Sequence, residues 1–177
     1  ATARFIAMKL SRHFVADAPP AELVDRLARV YLETDGDLRL LAAELVSADQ
    51  AWTAAASKLR TPAEFTLATA RLINVLPPRP QPLLNMMAQM GQPLWDPAGP
   101  NGFPDLSSAW GSPNGMKARL DASTRIARAT VVESPMTLLD EAFGATASAP
   151  TRKAVARAES REQALALLLM SPEFQRR

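Results

Sequence analysis

The feature that most constrains the fold of this chain is a recurring pair of helix signals: a capping residue, then apolar residues at helical spacing. In the stretch 19–34, PPAELVDRLARVYLET, apolar side chains fall on one helix face and charged side chains on the other. In TPAEF, Thr61 can cap a helix, Pro62 suits its first position and Glu64 completes a capping box. No segment alternates convincingly as a strand. These signals predict an all-α, irregular helical domain of about seven to nine helices with a long ordered loop rich in glycine, proline and aromatic residues.

The breaks between helices carry their own signals. Gly36 can take the left-handed conformation that ends one helix, and Asp37 can cap the next. Prolines at 77, 78, 80 and 82 end the helix that begins at TPAEF. Further helices are predicted over LLNMMAQM, MKARLDASTRIARATV, SPMTLLDEAFG, SAPTRKAVARAE and SREQALALLLMSPEFQRR. Met86, Met87 and Met90 are expected to fill a core rather than to line an adaptable groove.

Two short stretches resemble each other. In LVSADQAW, over 45–52, and LMSPEFQR, over 169–176, a leucine-rich helix leads into a serine that can cap a following acidic turn. Two copies this short do not make a repeat architecture, and convergent capping chemistry explains them equally well. The two serines are therefore predicted to act as local caps.

Composition and charge limit the classes of partner that the chain is expected to have. The 177 residues hold 20 basic and 18 acidic side chains, a net charge of +2 that is no nucleic-acid signature. Arg119, Arg125 and Arg128 spread around one helix and are expected to be solvated. No apolar stretch is long enough for a membrane span, and the absence of cysteine leaves the redox compartment open. The chain begins without an initiator methionine and already in helical rhythm, so we interpret it as a piece of a longer protein that forms a single helical domain over 1–177.

The residues that most enzymes need are scarce. His13 is the only histidine, and it lies at the edge of an apolar stripe, so it is interpreted as structural rather than as a ligand or base. Adjacent carboxylates such as Asp140 and Glu141 suit an exposed helix face better than a dry cleft. No phosphate-binding glycine loop occurs. We therefore predict no catalytic residue, no metal site and no cofactor in this fragment.

The stretch 90–116, MGQPLWDPAGPNGFPDLSSAWGSPNGM, holds five of the seven glycines and two of the three tryptophans. Flexible linkers are polar and poor in aromatic residues, so we expect an ordered loop. Its rings are predicted to pack against the flanking helices, and the alternative is an exposed recognition loop. The candidate binding residues, each more readily explained as structural, are Gln92, Trp95, Phe103 and Trp110.

This stretch, followed by a helix containing an arginine, resembles the bacterial domain of unknown function 1800 family. The family shows a G-Q-P, an aromatic, a G-W-P and a later tryptophan, which correspond here to 91–93, Trp95, 102–104 and Trp110. Four further stretches match in order: ATARFIAMKLSRHFVAD, DGDLRLLAAELVSADQAW, TPAEFTLATARLIN and LLLMSPEF. The chain departs from the pattern at Phe103, where tryptophan is usual, and at SADQ, where a first S-P-E-F is usual. The resemblance covers nearly the whole fragment but only the C-terminal part of the family domain.

The resemblance implies a largely helical domain that is common in exported bacterial proteins and has no established activity. It also implies an exported or cell-envelope location. The partner it suggests is another exported protein encoded nearby. The expected function is therefore a noncatalytic structural or interaction module of an exported protein. The alternative is the C-terminal half of an enzyme whose catalytic residues lie in the missing N-terminal part.

Overall fold

A computed structural model describes residues 1–52 and 57–177. The described chain contains eleven α-helices and two 3-10 turns, Asp49–Ala51 and Gly144–Thr146. The helices are α1 Thr2–Phe14, α2 Ala21–Glu33, α3 Leu38–Ser47, α4 Pro62–Ile73, α5 Gln81–Gln89, α6 Ser107–Trp110, α7 Pro113–Ala129, α8 Pro135–Phe143, α9 Ala149–Ala156, α10 Arg161–Leu169 and α11 Pro172–Gln175. The predicted all-α class is confirmed. Nine helices have eight residues or more, and the remaining two, α6 and α11, have four each.

The chain divides into two compact units, residues 1–58 and 59–177. In the first, small residues of α1 face inward, so that α1 packs closely on α2. The core of this unit is formed by Ala7, Val15, Leu23, Val24, Leu27, Leu41, Leu45 and Ala48. Phe14 is 57% exposed, and its ring meets the exposed His13 ring edge to face. The single domain expected over 1–177 stays a prediction.

The caps predicted at Asp37 and Thr61 are present. Asp37 accepts hydrogen bonds from the backbone amides of Arg39 and Leu40, which begins α3. Thr61 Oγ1 accepts from the Glu64 amide at 3.2 Å, and the Glu64 carboxylate accepts from the Thr61 amide at 2.8 Å. These bonds satisfy amides that a helix leaves unpaired at its start. Local sequence therefore fixes where α3 and α4 begin.

The second unit is built around one apolar core to which α4, α5 and α7 to α10 all contribute. Phe65 of α4, Leu139 of α8 and Leu165 of α10 are among its most buried residues. Met86 and Met90 are buried in the same core, as predicted, and Met87 is half-buried. This core supports the loop that connects α5 to α7.

The segment Ser171–Gln175 closes the core, and its side chains each make a separate contact. Ser171 caps α11, and Phe174 packs edge to face on Phe65 with ring centroids 5.7 Å apart. Glu173 accepts from the Ser148 amide at 2.9 Å and the Thr151 hydroxyl at 2.8 Å, which caps the start of α9. The matching stretch 45–52 behaves differently, because the residue at the capping position of its 3-10 turn is Ala48, and no side chain caps the turn. The predicted serine cap is confirmed only in the C-terminal copy.

Arg119 was expected to be solvated, and this expectation is wrong. Its side chain is fully buried on the inner face of α7. One guanidinium nitrogen donates to Gln175 Oε1 at 2.9 Å, and another donates to the Arg60 carbonyl oxygen at 2.5 Å. The guanidinium also lies over the Phe65 ring, 5.4 Å from its centroid. Burial lowers the pKa of Arg119 to about 10, against the opposing effect of the Glu64 carboxylate, so the group stays charged at neutral pH.

Replacing Arg119 tests whether this buried cation supports the fold. Arg119→Met keeps an apolar stem but donates no hydrogen bond, which leaves the Arg60 carbonyl and Gln175 amide oxygens without their donor. We expect a loss of about 2 kcal/mol in the free energy of unfolding, measured by urea denaturation. Arg125→Met, at an exposed position of the same helix, should change stability by less than about 0.5 kcal/mol. An Arg119→Met variant as stable as the wild type would show that the buried guanidinium does not support the fold.

The Glu173 contact predicts a pH dependence. Burial raises the pKa of Glu173, but hydrogen bonds from Ser148 and Thr151 outweigh it and lower the pKa from 4.5 to about 2. A carboxylate with a lowered folded pKa contributes stability that is present above about pH 4.5 and is lost as the pH falls toward 2. Glu173→Gln should therefore lower Tm at pH 7. Because the group is partly exposed, the free energy of unfolding should fall by about 1 kcal/mol or less.

The difference between the wild type and Glu173→Gln should then shrink between pH 4.5 and 2, measured by thermal melts in a pH series. Glu141→Gln, at an exposed glutamate of α8, serves as the control and should leave Tm unchanged across the same range. A difference that stays constant down to pH 2 would show that the Glu173 contact is not ionic.

Candidate functional site

The loop that joins α5 to α7, residues 90–112, is called the aromatic loop below. Its first turn is anchored by backbone and side-chain geometry. Gly91 has φ of +95°, a left-handed conformation that turns the chain away from α5. Gln92 then accepts, through Oε1, a hydrogen bond of 2.8 Å from the Ala63 amide in the first turn of α4. Gln92, a candidate binding residue, thus satisfies an otherwise unpaired helix amide.

The far end of the aromatic loop is anchored by Trp110. Its side chain is only 5% exposed, and its indole nitrogen donates to the Pro104 carbonyl oxygen at 3.1 Å. The half-buried Phe103 ring packs against it, with centroids 6.2 Å apart and planes at 49°. Ser107 Oγ accepts from the Leu59 amide at 3.0 Å. The predicted burial is therefore confirmed for Trp110 and holds in part for Phe103.

The loop ends earlier than predicted. Helix α7 begins at Pro113 rather than near Met116, because Ser112 accepts from the Gly115 amide at 3.1 Å and so caps it. A Cβ atom at Gly115 would lie 2.8 Å from the Trp110 carbonyl oxygen, so the chain passes too close there for any other residue. The S-P pair at 112–113 is the helix-start signal that the sequence reading missed.

Trp95 behaves in the opposite way to Trp110. It is 90% exposed and has φ of +57°, so its predicted burial is wrong. The neighbouring Leu94 is 50% exposed. Because Gln92 and Trp110 fix the ends of the loop and proline precedes and follows this pair at 93 and 97, the pair is held away from the core. The aromatic loop is thus packed against the second unit at its two ends and exposed to solvent at Leu94 and Trp95.

A groove of about 640 Å³ lies within the second unit, and its lining includes Pro93 and Asp96, which flank this pair in sequence, but neither Leu94 nor Trp95. Its walls come from the aromatic loop and from the adjoining ends of α5 and α7. The polar side chains in its lining are Gln89, Asp96, Asn101, Ser112 and Asn114. Gln89 Oε1 already accepts from the exposed Arg125 at 2.7 Å, and Ser112 caps α7. The groove therefore offers a ligand one carboxylate, the two carboxamides of Asn101 and Asn114, and the amide nitrogen of Gln89.

Within residues 1–52 and 57–177, no group of three or more histidine, cysteine, aspartate or glutamate side chains could hold a metal ion. The lining of the groove brings together no nucleophile with a neighbouring base. In the same described ranges, no helix combines the length and the apolar character that crossing a membrane requires.

The candidate residues are thus only partly brought together. Phe103 and the edge of Trp110 line the groove, Gln92 binds α4 and Trp95 stands outside the lining. Leu94, Asp96, Asn101 and Asn114 were not predicted from the sequence. They occur among glycines and prolines, where turn-forming chemistry explains each residue equally well.

Comparison with protein-family models gives a match over residues 1–176 to the family described as "Protein of unknown function (DUF1800)". The resemblance drawn from the G-Q-P, tryptophan and S-P-E-F stretches is therefore confirmed. Neither a curated protein nor a solved structure matches the chain.

The packing of Trp110 predicts a large stability effect. Trp110→Ala removes a buried ring and the donor to the Pro104 carbonyl, and it should destabilise the fold by about 3–5 kcal/mol. Urea unfolding followed by circular dichroism measures the loss. Trp95→Ala removes the same side chain from an exposed position of the same loop and should change stability by about 0.5 kcal/mol or less. Equal losses of stability in the two variants would contradict the conclusion that the burial of Trp110 stabilises the fold.

Proposed function

Since the chain belongs to the DUF1800 family, whose description assigns no activity, we propose its function from the aromatic loop. We propose that the chain is a noncatalytic interaction module of an exported bacterial protein. It binds a partner through the exposed Leu94–Trp95 pair, which the anchored ends of the loop hold in place. The family resemblance supports the exported setting.

The observation that carries this proposal is the conformation of Trp95. A bulky residue at positive φ is strained by about 1–3 kcal/mol relative to an extended conformation. Exposing an aromatic ring also forgoes burial worth on the order of 2 kcal/mol. Neither term stabilises the isolated fold. Strain and exposure at one position of an otherwise anchored loop are typical of a binding surface.

The rest of the loop supports the same conclusion, because it makes binding efficient. The Gln92 bond to α4 and the buried Trp110 fix the loop before any partner arrives. Prolines at 93, 97, 100 and 104 restrict the backbone further. A preorganised loop loses little conformational entropy when it binds. Tryptophan is also among the residues that contribute most to binding at interfaces.

The proposal predicts that Trp95→Ala weakens partner binding without unfolding the protein. The candidate partner is the exported protein encoded nearby, and binding is measured by titration of the purified partner into the full chain. A residue at the centre of an interface contributes about 2 kcal/mol or more, so Kd should rise roughly 30-fold. Trp52→Ala, which removes an exposed tryptophan in residues 1–58, should leave Kd unchanged.

A third variant separates strain from contact. Trp95→Gly relieves the positive φ, so it should be more stable than Trp95→Ala by about 1 kcal/mol while binding no better. Thermal melts of Trp95→Gly and Trp95→Ala then show whether the positive φ at this position lowers the stability of the fold. If Trp95→Ala binds every tested partner as tightly as the wild type, the proposed function fails.

A further inference from the structure

A second groove of the unit 59–177 lies between α5 and α7, and its two halves differ in chemistry. The apolar residues of one half, which measures about 440 Å³, are Pro82, Leu83, Met86, Ala122, Ile126 and Ala129. The polar residues that α7 adds to the other half, of about 650 Å³, are Asn114, Lys117, Asp121, Thr124 and Arg128. Gln89 and Arg125 line both halves and mark the boundary between them. The two halves together are called the α5–α7 groove below.

The apolar half can hold a hydrocarbon chain. Met86 and Ala122 are buried, whereas Leu83 and Ile126 are half-buried and keep apolar surface in water, which a ligand would favourably cover. The lining extends along α7 from Ala122 to Ala129, which is about 10 Å at a rise of about 1.5 Å per residue. An extended carbon chain with bonds of about 1.5 Å advances roughly 1.25 Å per atom, so about eight methylenes span this length.

Positive charge is uncompensated where the apolar half begins. The Arg125 guanidinium donates to Gln89 Oε1 at 2.7 Å, and this acceptor is neutral. Lys117 and Asp121 pair at 2.6 Å and neutralise each other. Arg128 lies one turn beyond Arg125 on α7 and lines the same polar half. In the part of the chain that the structure describes, neither arginine pairs with a carboxylate, so the α5–α7 groove carries a net positive charge.

We infer that the α5–α7 groove binds a medium-chain fatty acid, with the carboxylate at Arg125 and the hydrocarbon chain in the apolar half. A guanidinium has five N–H donors in a planar fork that matches a carboxylate, and Gln89 occupies only one of them. One groove holds one chain, which favours a single-chain acid over a two-chain phospholipid. Neither lining contains Leu94 or Trp95, so the site is separate from the proposed partner surface and goes beyond the proposed function.

Isothermal titration calorimetry of the full chain tests the inference with carboxylates from hexanoate to dodecanoate, each kept below its micelle concentration. Partial burial of each added methylene should lower Kd about two- to fourfold. We expect this gain up to about ten carbons and a plateau beyond, because longer chains extend past the apolar lining. Decyltrimethylammonium has a chain of the same length and a positive head, and its Kd should be higher than that of decanoate by about tenfold or more.

Paired variants locate the ligand. Arg125→Met should raise the Kd of decanoate about tenfold. Arg157→Met removes the same charge from an exposed position outside the groove and should leave Kd unchanged. Ala129→Phe fills part of the apolar half and should move the plateau to a shorter chain, whereas Ala154→Phe, at an exposed position of α9, should leave it in place. Thermal melts show that each variant is folded.

Saturable binding that depends on Arg125 and levels off with chain length supports the inference. Absence of decanoate binding overturns it, as does equal binding by Arg125→Met or equal binding of decyltrimethylammonium. An affinity that rises with every added methylene, or a plateau that Ala129→Phe does not move, shows unspecific association with apolar surface and also overturns it. Cosedimentation with phosphatidylglycerol vesicles without binding of free decanoate assigns the groove to a membrane surface instead. None of these results alters the Trp95→Ala test of the proposed function.

Discussion

The unit 59–177 depends on the burial of one charged group, the Arg119 guanidinium. A buried cation without hydrogen-bond acceptors is strongly destabilising, so the surrounding chain must supply them. Here the acceptors are neutral: the Gln175 side chain and the Arg60 carbonyl, with the Phe65 ring beneath. Because these groups come from α11, from the residue before the α4 cap and from α4 itself, all of them must be in place at once.

The neighbours of Arg119 extend this requirement. The Arg60 side chain donates to the Phe174 carbonyl and lies 5.0 Å over the Phe174 ring. Arg177 pairs with Glu64 at 2.8 Å, and that same carboxylate closes the α4 capping box. The start of α4 is also where Gln92 binds, so the cluster that holds the buried cation also holds the first anchor of the aromatic loop. The rigidity of the loop is thus derived from the core beneath it.

The sequence predicted what neighbouring residues decide among themselves. Thr61 and Glu64 are three residues apart, and Asp37 lies within three residues of the amides it caps, so these helix starts follow from local chemistry. Arg119 was misjudged because its acceptor Gln175 is 56 residues away, and nothing near Arg119 indicates it. Trp95 and Trp110 lie in the same loop, and the composition of the sequence around each of them is similar. The contact of Gln92 with α4 and the packing of Trp110 on Phe103 and Pro104 distinguish the two rings. The groove residues escaped prediction because asparagine and aspartate among glycines and prolines indicate turns first.

The contacts of the segment Ser171–Gln175 also bear on how the chain reaches its native state. Arg60 and Phe174 are 114 residues apart in sequence, and Arg119 and Gln175 are 56 apart. Closing such long loops lowers the folding rate even among helices that form quickly on their own. During synthesis, α4 and α7 leave the ribosome well before α11, so the Arg119 guanidinium must stay hydrated until its acceptor arrives. The second unit is therefore expected to complete its core only after translation has passed residue 175, as a late and cooperative step.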